Sequence, residues 1–388
     1  MSGPEVIYLD NAATSFPKPP AVAEAIAHFL THRAGNPGRS GHALALAAQG
    51  VVTETRRLVA SFFGVEDPSR VAFAHNASDA LNLALWGLCR PGDRVVTTSL
   101  EHNAVARPLW ALAERVGVTV ERVPCAPDGS LDLDDLVRAL RAAPTRLVAM
   151  IHASNVCGTI LPAREAARLA HEHGALFLLD AAQTAGVLPI DVRELGVDLL
   201  AFPGHKGLLG PTGTGGLYAA PGVRLTPMRQ GGTGTRSEEE RHPEDLPEAL
   251  EAGTVNTVGI AGLCAALRFV AERGLANVRA HEEALTGSLL AGLREIPGVR
   301  IHGPCDPRRQ VAAVSITVEG WEPGDLGAAL DSSFGIAVRP GLHCAPLAHR
   351  TLGTYPAGTV RLSPGPFTTG EEVERALSAL RELTGAAG

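Results

Sequence analysis

Short β-rich runs alternate with segments of helical periodicity from about residue 70 to residue 180, and this alternation constrains the fold more than any other feature. The β-rich runs are residues 71–73, 94–97, 118–123, 146–151 and 175–179, and the helical segments are residues 79–88, 104–115, 133–142 and 162–173. Such an order is typical of a largely parallel sheet with helices on both faces. It predicts an α/β fold whose ligands lie at the carboxyl ends of the strands.

The pattern changes after about residue 256, where longer helical segments and then further β-rich runs follow. The helical segments are residues 259–273 and 276–296, and the β-rich runs are residues 311–318 and 335–338. A chain of 388 residues also exceeds the size at which a single hydrophobic core usually suffices. We therefore expect a large domain over residues 18–256 and a smaller domain that combines residues 1–17 with residues 257–388.

Charge and hydropathy argue against several classes of partner. The net charge is -7 and the basic residues form no block, so neither nucleic acid nor an anionic membrane is an expected partner. No apolar run reaches the roughly 20 residues that span a bilayer, and the N-terminus has no basic segment followed by an apolar one. These features predict a cytoplasmic protein that acts on a small molecule.

The turn after the first strand of the alternating region argues against two nucleotide-binding motifs. No Gly-x-Gly-x-x-Gly follows the strand that ends at Phe73, and no Gly-x-x-x-x-Gly-Lys-Ser/Thr occurs in the chain. A polar turn opens a helix there instead. Its backbone N–H groups and the Ser78 hydroxyl are suited to binding a phosphate. Alternatively, Ser78 and Asp79 only cap the helix.

Two strand ends point to one cofactor. An apolar strand ends in Asp180, whose carboxylate is costly to bury without a cationic partner such as a protonated pyridine nitrogen. A second apolar run ends in Lys206, which becomes an amine nucleophile toward an aldehyde if it is desolvated. Together they predict pyridoxal 5′-phosphate, with Gln183 near its phenolic oxygen and His102 over its ring. Each residue taken singly has an alternative interpretation. Asp180 would be a turn cap, His102 a polar residue with its hydrogen bonds satisfied, and Lys206 a solvated surface residue.

The C-terminal part of the chain carries two further candidate residues. Among the six cysteines, which form no Cys-x-x-Cys pair and no zinc-site spacing, Cys344 directly follows a histidine in a turn near Arg339. Such a setting stabilises a thiolate and leaves the sulfur exposed. Arg361 ends another predicted strand and is suited to binding a carboxylate with two hydrogen bonds. The alternatives are a packed Cys344 and an Arg361 in a structural ion pair.

Six motifs are spread over nearly the whole chain. They are YLDNAAT at residues 8–14, EHN at 101–103, SNVCGT at 154–159, DAAQ at 180–183, GHK at 204–206 and RPGLHCA at 339–345. Together they resemble the cysteine desulfurase family of the class V aminotransferase superfamily, in its group with a short cysteine loop. The resemblance implies fold type I of the pyridoxal-phosphate-dependent transferases, with a mainly parallel seven-stranded sheet in the large domain and a smaller α+β C-terminal domain.

The resemblance also implies a role for each candidate residue. The implied catalytic residues are Lys206, Cys344 and His102. The implied cofactor-binding residues are Lys206, Asp180, Gln183, His102, His205, Ser78, Ala77, Asn155 and Thr254. The implied substrate-binding residues are Arg361, Asn155 and Arg339, and no metal is expected. Because the family forms homodimers with sites at the subunit interface, Thr254 is expected to reach the site of the partner subunit.

The implied reaction converts L-cysteine to L-alanine while Cys344 takes the sulfur as a persulfide, which then passes to a sulfur-acceptor protein. A selenocysteine lyase would use the same cofactor residues on L-selenocysteine and depend less on Cys344. An aminotransferase or epimerase of the same fold would not need Cys344, and a sulfur-relay protein would need only a weak cofactor site. One departure lies close to the chemistry. Pro203 stands where the family usually has a serine or threonine, so one phosphate hydrogen bond is expected to be missing.

Overall fold

One strand, two α-helices and a 3₁₀ helix (Pro68–Arg70) precede the alternating region. The computed structural model of the chain describes residues 6–38, 41–236 and 238–385. Strand β1 (Ile7–Tyr8) is followed by helices α1 (Pro20–His32) and α2 (Ala43–Phe62). Proline suits the first turn of α1 because its fixed φ is helical and its missing N–H has no helical acceptor there.

The alternating region forms the strands and helices that its periodicity predicts, with ends that differ by no more than two residues. The predicted elements are β2 (Val71–Ala74), α3 (Ala77–Leu88), β3 (Arg94–Thr98), α4 (Asn103–Val116), β4 (Thr119–Val123), α5 (Leu133–Ala142), β5 (Leu147–Ile151), α6 (Ala163–Glu172) and β6 (Leu176–Asp180). Beyond residue 180 follow α7 (Val192–Leu195), β7 (Leu199–Pro203) and β8 (Gly215–Ala219). Strands β2, β3, β5 and β7 are buried along their whole length, as expected for a sheet covered on both faces.

These strands form one seven-stranded sheet in the order β2-β8-β7-β6-β5-β3-β4. Strand β8 is antiparallel to both of its neighbours, and every other pair is parallel. The predicted, mainly parallel seven-stranded sheet is therefore confirmed. Because β2 and β7 are both antiparallel to β8, the carboxyl ends of β2, β3, β5, β6 and β7 all lie at the same edge.

The sequence does not predict strand β8, because it begins with Gly215 and Gly216, which have low strand propensity. The tertiary structure explains these glycines. A Cβ atom on Gly216 would lie 2.5 Å from Cζ of Phe202, and one on Gly215 would lie 2.7 Å from the Phe202 carbonyl oxygen. The glycines therefore allow β8 to pair with β7 beside a buried aromatic ring.

The C-terminal part of the chain forms a second, smaller sheet. The elements of this C-terminal part are α8 (Thr257–Arg273), α9 (Leu275–Arg294), β9 (Val299–His302), β10 (Val314–Val318), α10 (Pro323–Phe334), β11 (Ile336–Ala337), β12 (Arg339–Gly341), α11 (Pro346–Thr351), β13 (Thr359–Leu362) and α12 (Gly370–Leu383). Strands β12, β13, β10 and β9 pair antiparallel in that order. Strand β1 pairs with β11, and Ile7 and Leu9 join the hydrophobic cluster of this part.

Helix α8 packs under the large sheet, whereas the predicted boundary at residue 256 assigns it to the small domain. Its residues Ile260, Leu263 and Leu267 belong to the hydrophobic cluster under the large sheet, and it packs against α1 and α2. The division into two domains stays a prediction. We propose that the large domain extends through α8, to about Gly274.

Two kinds of feature are absent from the part of the chain that the structure describes. None of its helices is both long enough and apolar enough to cross a membrane. No three His, Cys, Asp or Glu side chains in it are grouped so that they would hold a metal ion. The cytoplasmic location stays a prediction.

Candidate active site

A cavity of about 320 Å³ opens where the strands of the large sheet end. It brings together ten of the twelve residues that the sequence identifies as site residues. They are Ala77, Ser78, His102, Asn155, Asp180, Gln183, His205, Lys206, Arg339 and Arg361. The two that do not line it are Cys344 and Thr254.

Asp180 and Lys206 form the charged centre of this cavity. Asp180 is the last residue of β6, is 1% exposed and accepts a hydrogen bond from the Ala182 N–H at 2.9 Å. Burial raises the pKa of Asp180, while that hydrogen bond and the charge of Lys206 oppose the rise. Burial lowers the pKa of Lys206 to about 8, opposed by the charge of Asp180. A neutral amine is therefore accessible near neutral pH, as a nucleophile toward an aldehyde requires.

His102 presents a neutral ring to the cavity. It is the N-cap of α4, and its Nδ1 accepts a hydrogen bond from the Ala104 N–H at 3.0 Å. In the neutral ring the proton is therefore on Nε2. Burial, and then the charge of Lys206, lower the pKa of His102 to about 4. An uncharged imidazole is suited to stacking on an aromatic ring.

The start of α3 forms another wall of the cavity. Asn76 is the N-cap, and its side chain accepts a hydrogen bond from the Asp79 N–H at 2.9 Å, so Ser78 does not cap this helix. Oδ2 of Asp79 accepts from the His75 N–H at 3.0 Å, just before the helix begins. Ser78 is exposed, and the N–H groups of Ala77 and Ser78 have no acceptor within the helix. Such a helix start favours a bound anion.

Arg361 is fully buried between two parts of the chain. Its Nη2 donates to Oδ1 of Asp10 at 2.6 Å, and its Nη1 donates to the Asn155 carbonyl oxygen at 2.9 Å. The structural ion pair considered as an alternative is therefore present, with a partner that the sequence did not identify. Nε of Arg361 and Oδ1 of Asn155 are both buried and have no hydrogen-bond partner within the described part of the chain. Buried polar groups are rarely left unpaired, so this wall retains binding capacity for a polar ligand.

Gln183 and His205 contact the N-terminal segment of the chain. Nε2 of Gln183 donates to the Ala12 carbonyl oxygen at 3.0 Å, and Nδ1 of His205 lies 3.1 Å from Oγ1 of Thr14. Burial, and then the charge of Lys206, lower the pKa of His205 to about 4. Both side chains therefore depend on residues 171 and 191 positions away in the sequence.

Cys344 lies in the short turn between β12 and α11. The thiol is exposed, so the alternative of a packed Cys344 is wrong, and its Sγ lies 3.7 Å from Nη2 of Arg339. His343 and Cys344 both have left-handed backbones, with φ of 49° and 57°. Their carbonyl oxygens accept hydrogen bonds from Nδ2 of Asn155 at 2.7 Å and from the Asn103 N–H at 2.8 Å. These bonds hold an uncommon backbone conformation that presents the thiol beside a cavity residue.

A chain of two buried histidines supports this turn, and the sequence did not identify it. Nε2 of His343 donates to the carbonyl oxygen of Arg339 at 2.8 Å, so its Nδ1 is left to accept from Nε2 of His349 at 3.2 Å. The Thr354 hydroxyl donates to Nδ1 of His349 at 2.7 Å. Burial lowers the pKa to about 3 for His343 and to about 4 for His349. Both rings are therefore neutral, as this directional chain requires.

Thr254 lies outside the cavity of its own chain. Its hydroxyl donates to Oδ1 of Asn36 at 3.4 Å, and it lines a separate cavity of about 950 Å³. The predicted contact of Thr254 with the site of a partner subunit stays a prediction.

Comparison with known proteins gives consistent matches along the chain. A family model described as Aminotransferase class-V matches residues 7–376. A probable cysteine desulfurase of Methanothermobacter thermautotrophicus is 37% identical over 386 residues, which cover 98% of this chain and 95% of that protein. The apo structure of a cysteine desulfurase from Thermococcus onnurineus has a TM-score of 0.92 at 36% identity, covering 98% of this chain and 95% of that one. A cysteine desulfurase of Escherichia coli has a TM-score of 0.87 at 29% identity, covering 97% and 94%.

Proposed function

Because this chain belongs to the aminotransferase class-V family, and within it to the cysteine desulfurases, we propose that it converts L-cysteine to L-alanine and takes up the sulfur as a persulfide. One observation carries the proposal. The cavity that contains Lys206 and Asp180 has an arginine, Arg339, in its wall, and the exposed thiol of Cys344 lies beside that arginine.

The residues of the cavity fit pyridoxal 5′-phosphate. The buried carboxylate of Asp180 matches a protonated ring nitrogen, and the start of α3 matches a phosphate. His102 would lie against the ring, with Gln183 at its phenolic oxygen and His205 at the phosphate. When bound, this cofactor supplies an electron sink for the substrate carbon that loses its proton.

Lys206 has two tasks in this proposal. Its Nζ would hold the cofactor through the aldehyde group, and as a free amine it would take the proton from Cα of the substrate. The lowered pKa of about 8 keeps part of the amine unprotonated near neutral pH, which both tasks require. Arg361, Arg339 and Asn155 hold the substrate carboxylate, for which the unpaired Nε of Arg361 is available.

Cys344 carries out the sulfur transfer. Its thiolate Sγ attacks the sulfur of the substrate, so a new S–S bond forms as the substrate bond between Cβ and sulfur breaks. The electron pair of the broken bond stays with the carbon fragment, which is protonated to alanine. The persulfide remains on Cys344, where an exposed position suits transfer to a sulfur-acceptor protein.

We further propose that the protein is a homodimer whose sites lie at the subunit interface. Thr254 does not line the cavity of its own chain, and it is exposed. In the dimer its hydroxyl would contact the cofactor phosphate of the partner subunit.

A direct experiment tests the reaction. The protein loaded with pyridoxal 5′-phosphate is incubated with L-cysteine and, separately, with L-selenocysteine, with and without a reductant. We expect alanine from cysteine and a mass increase of one sulfur atom on the peptide that contains Cys344. If alanine forms from selenocysteine but not from cysteine, the enzyme is instead a selenocysteine lyase. Formation of pyruvate or racemised substrate without alanine would contradict a desulfurase.

Pro203 provides a separate prediction about cofactor affinity. It lies at the end of β7 and lines the cavity, but it has no hydroxyl. We expect Pro203→Ser to bind pyridoxal 5′-phosphate about tenfold more tightly, because a hydrogen bond to a charged acceptor contributes about 1.5–3 kcal/mol. The dissociation constant can be measured from cofactor release on dialysis. Pro203→Ala is the matched control, and equal gains in both variants would show that the hydroxyl is not responsible.

A further inference from the structure

Lysine is almost absent from this chain. Of the 34 basic side chains, 32 are arginines and only two are lysines, Lys18 and Lys206. The proposed role of Lys206 requires a primary amine. No such chemistry is assigned to Lys18, so an ammonium group at this position indicates a requirement that a guanidinium does not meet.

The Lys18 side chain contacts the peptide bond that precedes Lys206. Nζ of Lys18 donates to the carbonyl oxygen of His205 at 2.8 Å, and this carbonyl belongs to the peptide bond that joins His205 to Lys206. The same Nζ donates to Oγ of Ser15 at 2.6 Å. Oγ of Ser15 in turn donates to the carbonyl oxygen of Lys206 at 3.0 Å. Lys18 therefore acts on the backbone on both sides of the Lys206 side chain.

Among the residues that the structure describes, Lys18 is the only charged donor at this carbonyl. The Ser15 N–H lies 3.1 Å and Oγ1 of Thr14 lies 3.0 Å from the same oxygen of His205. Both are neutral, and so is Oγ of Ser15, which lies 3.2 Å from this oxygen. Hydrogen bonds from a charged donor are roughly twice as strong as neutral ones. Burial lowers the pKa of Lys18 to about 8, so the ammonium form predominates at pH 7.

We propose that Lys18 is a positioning residue for Lys206, whose ammonium fixes the His205–Lys206 peptide and so the direction in which the Lys206 side chain enters the cavity. This inference rests on the proposed function of Lys206. The ammonium is compact and has three donors, so it bonds a hydroxyl and a carbonyl that converge on one point. A planar guanidinium is larger and directs its donors outward in a rigid fork.

Lys18→Met tests this role in the cofactor-loaded enzyme. We expect kcat for cysteine to fall about 10- to 100-fold while KM changes less than about threefold, because a misplaced reacting group loses rate rather than substrate affinity. We also expect less cofactor to be fixed to Lys206 when the enzyme is reduced briefly with borohydride. Mass spectrometry assigns this attachment without ambiguity, because Lys206 is the only lysine left in the variant.

Two further variants keep the test independent of a folding defect. The kcat of Lys18→Arg should stay within about threefold of the kcat of Lys18→Met. Recovery of the wild-type kcat by Lys18→Arg would overturn the requirement for an amine. Ser15→Ala should reproduce part of the loss of kcat. The double variant of Lys18→Met with Ser15→Ala should lose less kcat than the product of the two single losses, since both side chains act on one hydrogen-bond network. Additive losses would overturn the coupling through Ser15.

The wild-type enzyme measured in the same series separates the two proposals. If wild-type protein makes alanine from cysteine, and Lys18→Met has the same kcat and the same borohydride attachment, only the role of Lys18 is wrong. If wild-type protein neither attaches the cofactor at Lys206 nor makes alanine, the proposed function is wrong and the role of Lys18 falls with it.

Discussion

Lys206→Ala is expected to lower the rate of alanine formation from cysteine by at least about 1000-fold, because the variant loses both the cofactor attachment and the base that takes the α-proton. The visible absorbance of the covalently bound cofactor should disappear as well. Both quantities are measured on protein incubated with excess pyridoxal 5′-phosphate, so that weak binding does not limit the result.

Lys18→Met is the matched control for this experiment, since it removes the only other lysine of the chain. In that control, borohydride should still fix cofactor to the peptide that contains Lys206, although to a smaller extent. A Lys206→Ala protein that retained covalent cofactor would place the attachment elsewhere. Retention of turnover in the same protein would contradict the proposed mechanism.

Cys344→Ser should separate cofactor binding from sulfur transfer. The side chain does not line the cavity, so we expect the visible spectrum and the cofactor affinity to be unchanged. Serine keeps the size of cysteine but lacks the thiolate nucleophile, so alanine formation from cysteine should fall by about 100- to 1000-fold. Mass spectrometry should detect no persulfide on the corresponding peptide.

Cys305→Ser is a suitable control, because Cys305 is also partly exposed but lies in the loop after β9. We expect this variant to keep full activity. Selenocysteine provides a second comparison. Selenium leaves more readily than sulfur, so Cys344→Ser should retain more activity with selenocysteine than with cysteine. Full activity of Cys344→Ser with cysteine would disprove the attack by this thiol.

The cavity explains why the candidate residues form a site although they are far apart in the sequence. Asp180 ends β6, Lys206 follows β7 and His102 follows β3, and these strands are parallel. Their carboxyl ends therefore meet at one edge of the sheet. This part of the site was predictable, because buried strands are recognisable from their apolar runs and the polar residue that ends each run is visible in the sequence.

Other parts of the site were not predictable from local patterns. Asn76, rather than Ser78, caps α3, and a choice between two capping residues so close together depends on backbone geometry. Strand β8 is missed because close packing on Phe202 requires glycines that local propensity disfavours. His349 is an ordinary helical residue in the sequence, and its contact with His343 arises only when the turn at Cys344 folds back over α11.

The sequence by itself determined the α/β order of elements, the mainly parallel sheet and the polar residues at its strand ends, because apolar periodicity and strand-end chemistry are local properties. Only the tertiary structure decided which distant partners those residues have. Arg361 pairs with Asp10 across 351 positions, and Lys18 reaches the His205 carbonyl across 187 positions. Such hydrogen bonds depend on how the N-terminal segment packs across the sheet edge, and no local pattern encodes that path. The packing thus places the Lys18 side chain at the backbone next to Lys206.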